Sequence, residues 1–361
     1  MKKAIMSAHV KMGTAKNLGD YHQAIASRQF MNTDVFIDRD MLRSYDGDKC
    51  KLIMNGWFMH KPEEFPPSEK ITPLITSFHV SPSKANRILQ KEGIDYLKKY
   101  EPIGCRDYET LRILTGRGIK AYFSGCLTLT LGKTYRHKVE KKNALIVDPV
   151  LPFTEGSVIK KIFNLGVICF MFVHFRKVLV ISKKIRACIC EGGRGLKAWL
   201  RMLYAAAAFL KTYRRLFSEH LLLNADYLSN IIPWKDLSDG RDVDVQLMEC
   251  ADKLLKEYEK YPLVITSRIH CALPCTAMGT PVIFINDKIG RCTMGGLNMG
   301  DGRFDGLLDF FNIIDCDKGW RMTPRQWAAE RITEESIVPV KKNWHSYAQN
   351  LAEQCERFAS N

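Results

Sequence analysis

Short apolar runs alternate with longer amphipathic stretches along the first 147 residues of the chain. The apolar runs have the length and flanking residues of strands, and the stretches between them have the length of helices. Strands are predicted at residues 3–9, 50–58, 72–80, 101–105 and 119–124, and helices at 20–30, 84–99 and 106–116. This alternation is typical of an α/β fold with a mostly parallel sheet.

The same order of elements returns in the second half of the chain. After the polar, basic stretch GCLTLTLGKTYRHKVEKK, residues 144–149 begin a new strand, and the domain boundary is placed there. Residues 241–260 place apolar side chains on one helical face and lead into a strand at 264–266. We therefore predict an N-terminal domain at 1–146, a C-terminal domain at 147–315 and closing helices at 316–361.

The segment LVITSRIHCALPCTAMGTPVIF, residues 263–284, predicts a buried strand, a helix of small residues and a second buried strand. Ser267 is the predicted N-cap of this helix and Gly279 its predicted C-cap. Arg268 and His270 would then lie in the first helical turn, just beyond the carboxyl end of a parallel strand. Ligands bind at this place in open α/β sheets.

An anion is favoured at such a helix start by the unpaired N–H groups and the helix dipole. Arg268 adds a planar cation that suits phosphate or carboxylate. His270 is expected to be neutral until a doubly charged anion raises its proton affinity, which would make it a proton donor that its own substrate charges. The alternative is a structural core histidine beside a surface arginine.

The first half carries a comparable group of residues. Asn17, Gly19 and Asp20 lie in a loop that enters a helix, but a single glycine is neither a dinucleotide fingerprint nor a phosphate-binding P-loop. Arg106 follows the short strand EPIG and is a candidate anion ligand, whereas Asp107 is interpreted as an acid that starts a helix.

Composition adds one local feature. The net charge is +15, and residues 157–217 hold 13 Lys and Arg against one acid, a local charge of +12 that leaves +3 for the remaining chain. Two interpretations stay open: association with an anionic membrane surface, or a buried strand VLVIS within an ordinary basic surface. The apolar run that ends at His174 is too short to span a bilayer. No nucleic-acid-binding module is recognisable.

The 12 cysteines are scattered, and no Cys-x-x-Cys pair occurs. We therefore expect reduced thiols in a cytoplasmic protein and no metal site. Peripheral attachment to the inner face of the plasma membrane is the alternative that the basic segment leaves open.

Six blocks of the sequence, from about residue 14 to 310, resemble the polysaccharide pyruvyl transferases, particularly the branch from bacterial capsule and exopolysaccharide clusters. The blocks are NLGDYHQAIA, LIMNGWF, ITSFHV, EPIGCRDYETLRILTGRGIKAYFSGCLTLTL, VITSRIHCALPCTAMGTPVIFI and GRFDGLLDF. The resemblance implies two Rossmann-like domains in a GT-B-like arrangement with the site in the cleft. It also implies phosphoenolpyruvate as donor, a pyruvate ketal on a sugar as product, and no cofactor.

The family's Arg-x-His element falls on Arg268 and His270, with isoleucine between them where leucine is usual. By this resemblance Arg268 contacts the donor and His270 is the candidate acid. Arg106 and Ser267 are the further residues expected to hold the donor. The residues expected to meet the sugar are Asn17, Gly19, Asp20, Asn55, Ser77 and His79. The basic segment at 157–217 does not align with the family.

The implied partners are phosphoenolpyruvate and a lipid-linked or oligosaccharide acceptor. Two competing functions stay open. A nucleotide-sugar glycosyltransferase uses the same architecture, and fold does not determine function. A non-catalytic, membrane-associated assembly protein of polysaccharide synthesis would bind no donor.

Overall fold

The computed structural model describes residues 1–8, 13–151, 158–186, 195–287, 302–316, 322–325 and 331–361. The described strands are, in chain order, β1 (Lys2–Ser7), β2 (Ala15–Asn17), β3 (Phe36–Asp38), β4 (Cys50–Phe58), β5 (Ile71–Val80), β6 (Ile103–Cys105), β7 (Ala121–Phe123), β8 (Leu145–Val147), β9 (Asp226–Leu228), β10 (Ile231–Pro233), β11 (Val264–Thr266), β12 (Val282–Asp287), β13 (Asn312–Cys316) and β14 (Met322–Arg325).

The helices are α1 (Gly19–Met31), α2 (Pro82–Ile88), α3 (Lys91–Lys99), α4 (Tyr108–Thr115), α5 (Val158–Val173), α6 (Phe175–Arg186), α7 (Leu196–Tyr213), α8 (Glu219–Asn224), α9 (Val243–Tyr258), α10 (Ile269–Met278) and α11 (His345–Ser360). Short 3₁₀ segments lie at Arg39–Met41, Pro62–Glu64, Leu127–Lys133, Trp234–Asp236 and Leu308–Phe310.

The strands form two six-stranded sheets and one short ribbon. The first sheet has the order β3-β1-β4-β5-β6-β7, and its neighbours are all parallel. The second has the order β14-β13-β12-β11-β8-β9 and is parallel except for the pair β13–β14. The predicted α/β class with mostly parallel sheets is confirmed.

Side chains from both halves share one hydrophobic core, because α1 contacts β1 of the first sheet and also α9 and α10 of the second half. Tyr21 of α1, Leu247 of α9 and Leu273 of α10 are all fully buried in it. The antiparallel ribbon of β2 and β10 adds a second link, with Asn17 paired to Ile231. The carboxyl ends of strands from both sheets are thereby held near the start of α1.

Two predicted elements differ from the structure in the first half and in the tail. The helix predicted at 84–99 is two helices, since the start of α3 turns back on α2 at Gly93, where a Cβ would lie 2.0 Å from the carbonyl oxygen of Ile88. The tail contributes α11 as predicted, but it also adds the edge strand β14 to the second sheet.

The alternative of a buried strand VLVIS in the basic segment is wrong, because these residues lie in α6. Val178, Ile181 and Ile185 are buried on one face, and their spacing is that of a helix. A second hydrophobic core lies on the face of the second sheet away from α10, where Ile146, Ile265 and Ile283 are buried. Helices α5, α6 and α7 cover this second core. No single helix in the described parts of the chain is long and apolar enough to cross a bilayer, although α5 and α6, bent by 105°, reach that threshold as a pair.

Candidate active site

The joint between β11 and α10 lies where the sequence places it, with one change. Arg268, not Ser267, is the N-cap of α10, so that prediction is wrong. The Ser267 hydroxyl instead donates to the carbonyl oxygen of Asp148 at 2.6 Å and so does not cap the helix, which begins at Ile269. His270 lies in the first turn as predicted, and Gly279 ends the helix at φ 86°.

The starts of α1 and α10 meet at His270. A Cβ on Gly19 would lie 2.6 Å from Nδ1 of His270 and 2.9 Å from its Cβ, so the first residue of α1 has to be glycine for the imidazole to take this position. His22, one turn further along α1, donates from Nδ1 to the carbonyl oxygen of His270 at 2.6 Å. Helix α1 therefore determines the position of both the backbone carbonyl and the imidazole ring of His270.

His270 is held in its neutral form. Burial is the largest cause and the guanidinium of Arg106 the next, and together they lower the pKa of His270 to about 3, with smaller contributions from His22 and Arg303 and opposition from Asp20. Its buried Nε2 makes no hydrogen bond to any described residue. The sequence predicted the direction of this shift from the helix dipole, whereas burial and Arg106 cause it.

Arg268 is oriented by a carboxylate that the sequence analysis did not select. Its Nε donates to Oδ2 of Asp148 at 3.0 Å, and the same oxygen accepts the backbone N–H of Asn230 at 3.0 Å. Asp148 directly follows β8 and has a φ of 43°, a backbone conformation that is strained for a residue with a side chain. Its place after a predicted strand was the signal that could have identified it.

Asn17 supports this arrangement from the first half. Its Oδ1 accepts the backbone N–H of Gly19 at 3.0 Å and an amide N–H of Asn230 at 3.2 Å. Asn230 thus links the start of α1 to Asp148, and through Asp148 to Arg268. The described contacts of Asn17 position other site residues.

A cleft of about 210 Å³ opens beside the start of α1. It is lined by residues at the ends of β1, β3 and β4 and along α1, namely Met6, Ser7, Ala8, Asp20, Gln23, Ala24, Arg39 and Asn55. Asn55 lies there with its amide bonded to Gln23 O at 3.3 Å and to the hydroxyl of Ser27 at 3.2 Å. Two of the predicted sugar-binding residues, Asp20 and Asn55, are therefore brought together.

Asp20 carries a negative charge in this cleft. Burial alone would raise its pKa, but Lys16 at 3.1 Å and Arg39 at 3.6 Å, together with His270, hold the pKa of Asp20 well below its usual range. Arg39 is only 2% exposed, and its Nε makes no hydrogen bond to a described residue. Arg39 was not among the predicted site residues, because no strand was predicted at β3.

Ser77 and His79 lie on β5 and are fully buried. Nδ1 of His79 donates to Oδ2 of Asp107 at 2.6 Å, and that carboxylate lies 3.5 Å from Nε of Arg106. Asp107 also caps α4 by accepting the N–H of Thr110 at 2.9 Å, as its interpretation as a helix-start acid predicted. In this structure His79 supports the position of Arg106 and does not line the cleft.

Arg303 is a further cation near His270, since it contributes to lowering that pKa. It belongs to the quoted block GRFDGLLDF, but the sequence analysis gave it no role. The segment is held against the first half, because Tyr108 donates its N–H to Asp305 O at 3.1 Å and Arg112 pairs with the Asp305 carboxylate at 3.1 Å. The second half thus reaches across to α4, which follows Arg106.

These features define an α/β protein in which arginine side chains lie near the facing starts of α1 and α10, where strands from both sheets end, and this is the candidate site. A model of the polysaccharide pyruvyl transferase family matches residues 17–288, about three quarters of the chain, and the chain belongs to that family. No curated protein and no solved structure matches it. The resemblance seen in the sequence is confirmed, and membership supports a role in pyruvyl transfer during polysaccharide synthesis.

Proposed function

We propose that the protein transfers the enolpyruvyl group of phosphoenolpyruvate to two hydroxyls of one sugar in a capsular or exopolysaccharide repeat unit, forming a pyruvate ketal without a cofactor. The observation that carries this proposal is His270: a neutral imidazole with an unpartnered Nε2, at a helix start among arginines. This arrangement suits a group that takes up a proton when an anion binds beside it.

The donor would lie between Arg106 and Arg268, which approach from opposite halves of the chain. Phosphoenolpyruvate carries a phosphate and a carboxylate, and each suits a guanidinium fork. Asp148 accepts from Nε of Arg268 and so fixes the direction of its guanidinium group. Ser267 serves this grip by holding the Asp148 backbone.

His270 would be the general acid. The guanidinium of Arg106 lowers its pKa, and a donor dianion that neutralises this cation removes that cause, so protonation of the ring follows donor binding. The proton then passes from His270 to the methylene carbon of the donor, and a sugar hydroxyl adds to the cationic carbon that results. General-acid catalysis of this kind contributes about 10²–10⁴ in rate.

The remaining steps balance without another reactant. The phosphate leaves as its C–O bond breaks, and a second hydroxyl of the same sugar closes the ketal. Two hydroxyl protons are released. One restores the proton that His270 gave to the methyl group, and the other leaves with the phosphate.

The acceptor sugar would occupy the cleft beside α1. Asp20 is ionised there and its pKa is well below the usual range, so it orients a hydroxyl by accepting a hydrogen bond and is a poor base. Asn55 and the buried Arg39 line the same cleft, while Asn17 and Gly19 hold the start of α1. His79 would act from behind this wall by holding Asp107 beside Arg106. Ser77 would act through its backbone, whose N–H donates to the Ser124 hydroxyl, which in turn donates to the carbonyl oxygen of Cys105 before Arg106.

This assignment places the site between the carboxyl ends of strands from two parallel sheets, as in a GT-B-like pair of Rossmann-like domains. Arg106 directly follows β6 and Asp148 directly follows β8. One residue, Ser267, separates Arg268 from the end of β11. The acceptor is proposed to be a lipid-linked or free oligosaccharide, handled on the cytoplasmic side of the membrane.

The test compares ligands and one pair of variants. We expect phosphoenolpyruvate, but not a nucleotide sugar, to raise the unfolding temperature. His270→Gln should keep donor affinity by calorimetry and lower transfer by roughly 10² or more, whereas His345→Gln, at the exposed start of α11, should leave both unchanged. Protection by nucleotide sugars alone would favour a glycosyltransferase. An absence of any donor binding would favour a non-catalytic assembly protein.

A further inference from the structure

Helices α5 and α6 form a bent corner whose outer face is apolar. Nine of the 16 large apolar side chains that are exposed among the described residues lie between 165 and 200. Six of them, which we call the corner patch, follow the outer face of the two helices: Leu165, Ile168, Phe172, Val173, Phe175 and Val180. Phe172 and Val173, at the bend, are 70% and 77% exposed.

The described end of α5, residues 165–173, is apolar all round. Its inner face is covered, since Val167 is 0% and Phe170 8% exposed and the guanidinium of Arg214 lies 4.6 Å from the Phe170 ring. A helix segment that is apolar on every side is typical of one with cover on every side. The outer half of this segment has no cover within the described chain.

Cations adjoin the corner patch. Arg176 and Lys183 share the outer face of α6 with Val180 and are exposed, as is Arg186 at its end. Two described acids lie near this corner: Glu219 is already paired with both Lys177 and Arg214, and Asp226 lies near Lys184 on the side of α6 that faces the body. The exposed face therefore combines apolar side chains with uncompensated positive charge.

From this combination we infer that the corner patch docks on an anionic lipid bilayer, with the bend between α5 and α6 entering the headgroup region. Apolar tips flanked by lysine and arginine suit the boundary between acyl chains and acidic headgroups. A protein partner with an acidic apolar groove would have to match both features, whereas an anionic bilayer supplies them without a defined shape.

The corner lies on the bilayer and does not cross it. Helix α6 packs Val178, Ile181 and Ile185 into the second core, and Lys184 donates to the carbonyl oxygen of Ala225 at 2.6 Å. Leaving the body would expose that core to water. Docking therefore needs no rearrangement of the fold, and it does not depend on the reaction proposed for the site.

The experiment uses the full chain and vesicle flotation. Wild type should float with vesicles of phosphatidylcholine and phosphatidylglycerol, float less at high salt, and not float with phosphatidylcholine alone. Phe172→Ser with Phe175→Ser should lower binding roughly tenfold or more. Arg176→Gln with Lys183→Gln should lower vesicle binding about 25-fold, because the loss of each cation lowers binding about fivefold.

Matched controls are Ile337→Ser and Val139→Ser, which remove exposed apolar side chains outside the patch and should leave binding unchanged. All of these side chains are on the surface, so thermal unfolding should be unaffected. Cys169 is exposed and lies between Ile168 and Phe172 in sequence, so its alkylation by a charged maleimide, followed peptide by peptide, should slow when anionic vesicles are added.

Three results would overturn the inference. Wild type that stays unbound with acidic vesicles is one, and unchanged binding by the Phe172→Ser, Phe175→Ser variant is another. The third is a wild-type protein that does not bind vesicles but forms a concentration-dependent dimer, which the variant does not form. That result would assign the patch to a second copy of the chain.

Discussion

Replacing Gly19 by alanine tests whether the contact between the two helix starts sets the chemistry. The new Cβ would lie 2.6 Å from Nδ1 and 2.9 Å from Cβ of His270. Ordinary contacts of this kind are about 3.5 Å, so the ring or the start of α1 has to move by about 1 Å. The contact involves the root of the histidine side chain, which no rotation about χ1 removes.

The expected result separates activity from stability. A displacement of about 1 Å at a group that reacts costs on the order of 100-fold in turnover. Overpacking costs about 1–3 kcal/mol, and alanine recovers at most about 1 kcal/mol over glycine in a helix, so the free energy of unfolding should fall by no more than about 3 kcal/mol. The variant should remain folded and lose most of its transfer.

The assay follows phosphoenolpyruvate-dependent addition of pyruvate to the acceptor by mass spectrometry, beside calorimetric donor binding and thermal unfolding. Gly47→Ala is the matched control: its Cβ would also be close to another atom, at 2.5 Å, but that atom is the hydroxyl of Tyr45, the far end of a side chain that can move. Wild-type turnover in Gly19→Ala, with an unchanged unfolding temperature, would refute the role given to the position of His270.

Two further predictions concern pH and the network behind Arg268. His22 and His270 have pKa values lowered by burial from 6.5 to about 4 and about 3, so below pH 6.5 the unfolded chain binds protons that the folded chain does not. The free energy of unfolding should therefore be highest above pH 6.5 and fall by up to about 1.4 kcal/mol per pH unit for each histidine as the pH drops toward 4. His270→Gln should make this slope shallower in denaturant titrations. Asp148→Asn should weaken donor affinity about tenfold and lower stability by about 1–3 kcal/mol, because a neutral amide replaces the acceptor of both Arg268 and the Asn230 N–H; calorimetry showing wild-type affinity would contradict it.

The sequence predicted the fold class because strand and helix periods differ and the apolar runs are long. β4 and β11 were predicted at their observed bounds, and the other strands predicted in the first half lie within two residues of the observed ones. Strands of three residues show no period of their own, and among them β6, β7, β8 and β11 were predicted whereas β3 and β10 were missed. The VLVIS segment was misjudged for the opposite reason: five consecutive residues of high strand propensity lie in α6, where a helical spacing over a longer window decides the structure.

For the site, local motifs placed individual residues but not their partners. His270 and Arg268 could be found because a polar interruption between two buried elements is visible in one short segment. The roles of Asp148, Arg39 and Asn230 could not be predicted from a local motif, since each contacts a residue more than a dozen positions away in the sequence. Distances between elements of different sheets are set by tertiary packing, such as that of α1 against α9 and α10.

The packing of α1 also bears on the acid role proposed for His270 at this helix start. Its backbone carbonyl is held by His22 and its ring is packed against Gly19, so His270 has little freedom to move away when its charge changes. A residue that cannot relax responds to nearby charge through its pKa. Arg106 and burial keep the ring neutral in the free protein, and a bound dianion reverses the larger electrostatic cause. Under the proposed function, proton uptake by His270 would thereby be coupled to donor binding, and the site without donor would not hold a charged acid.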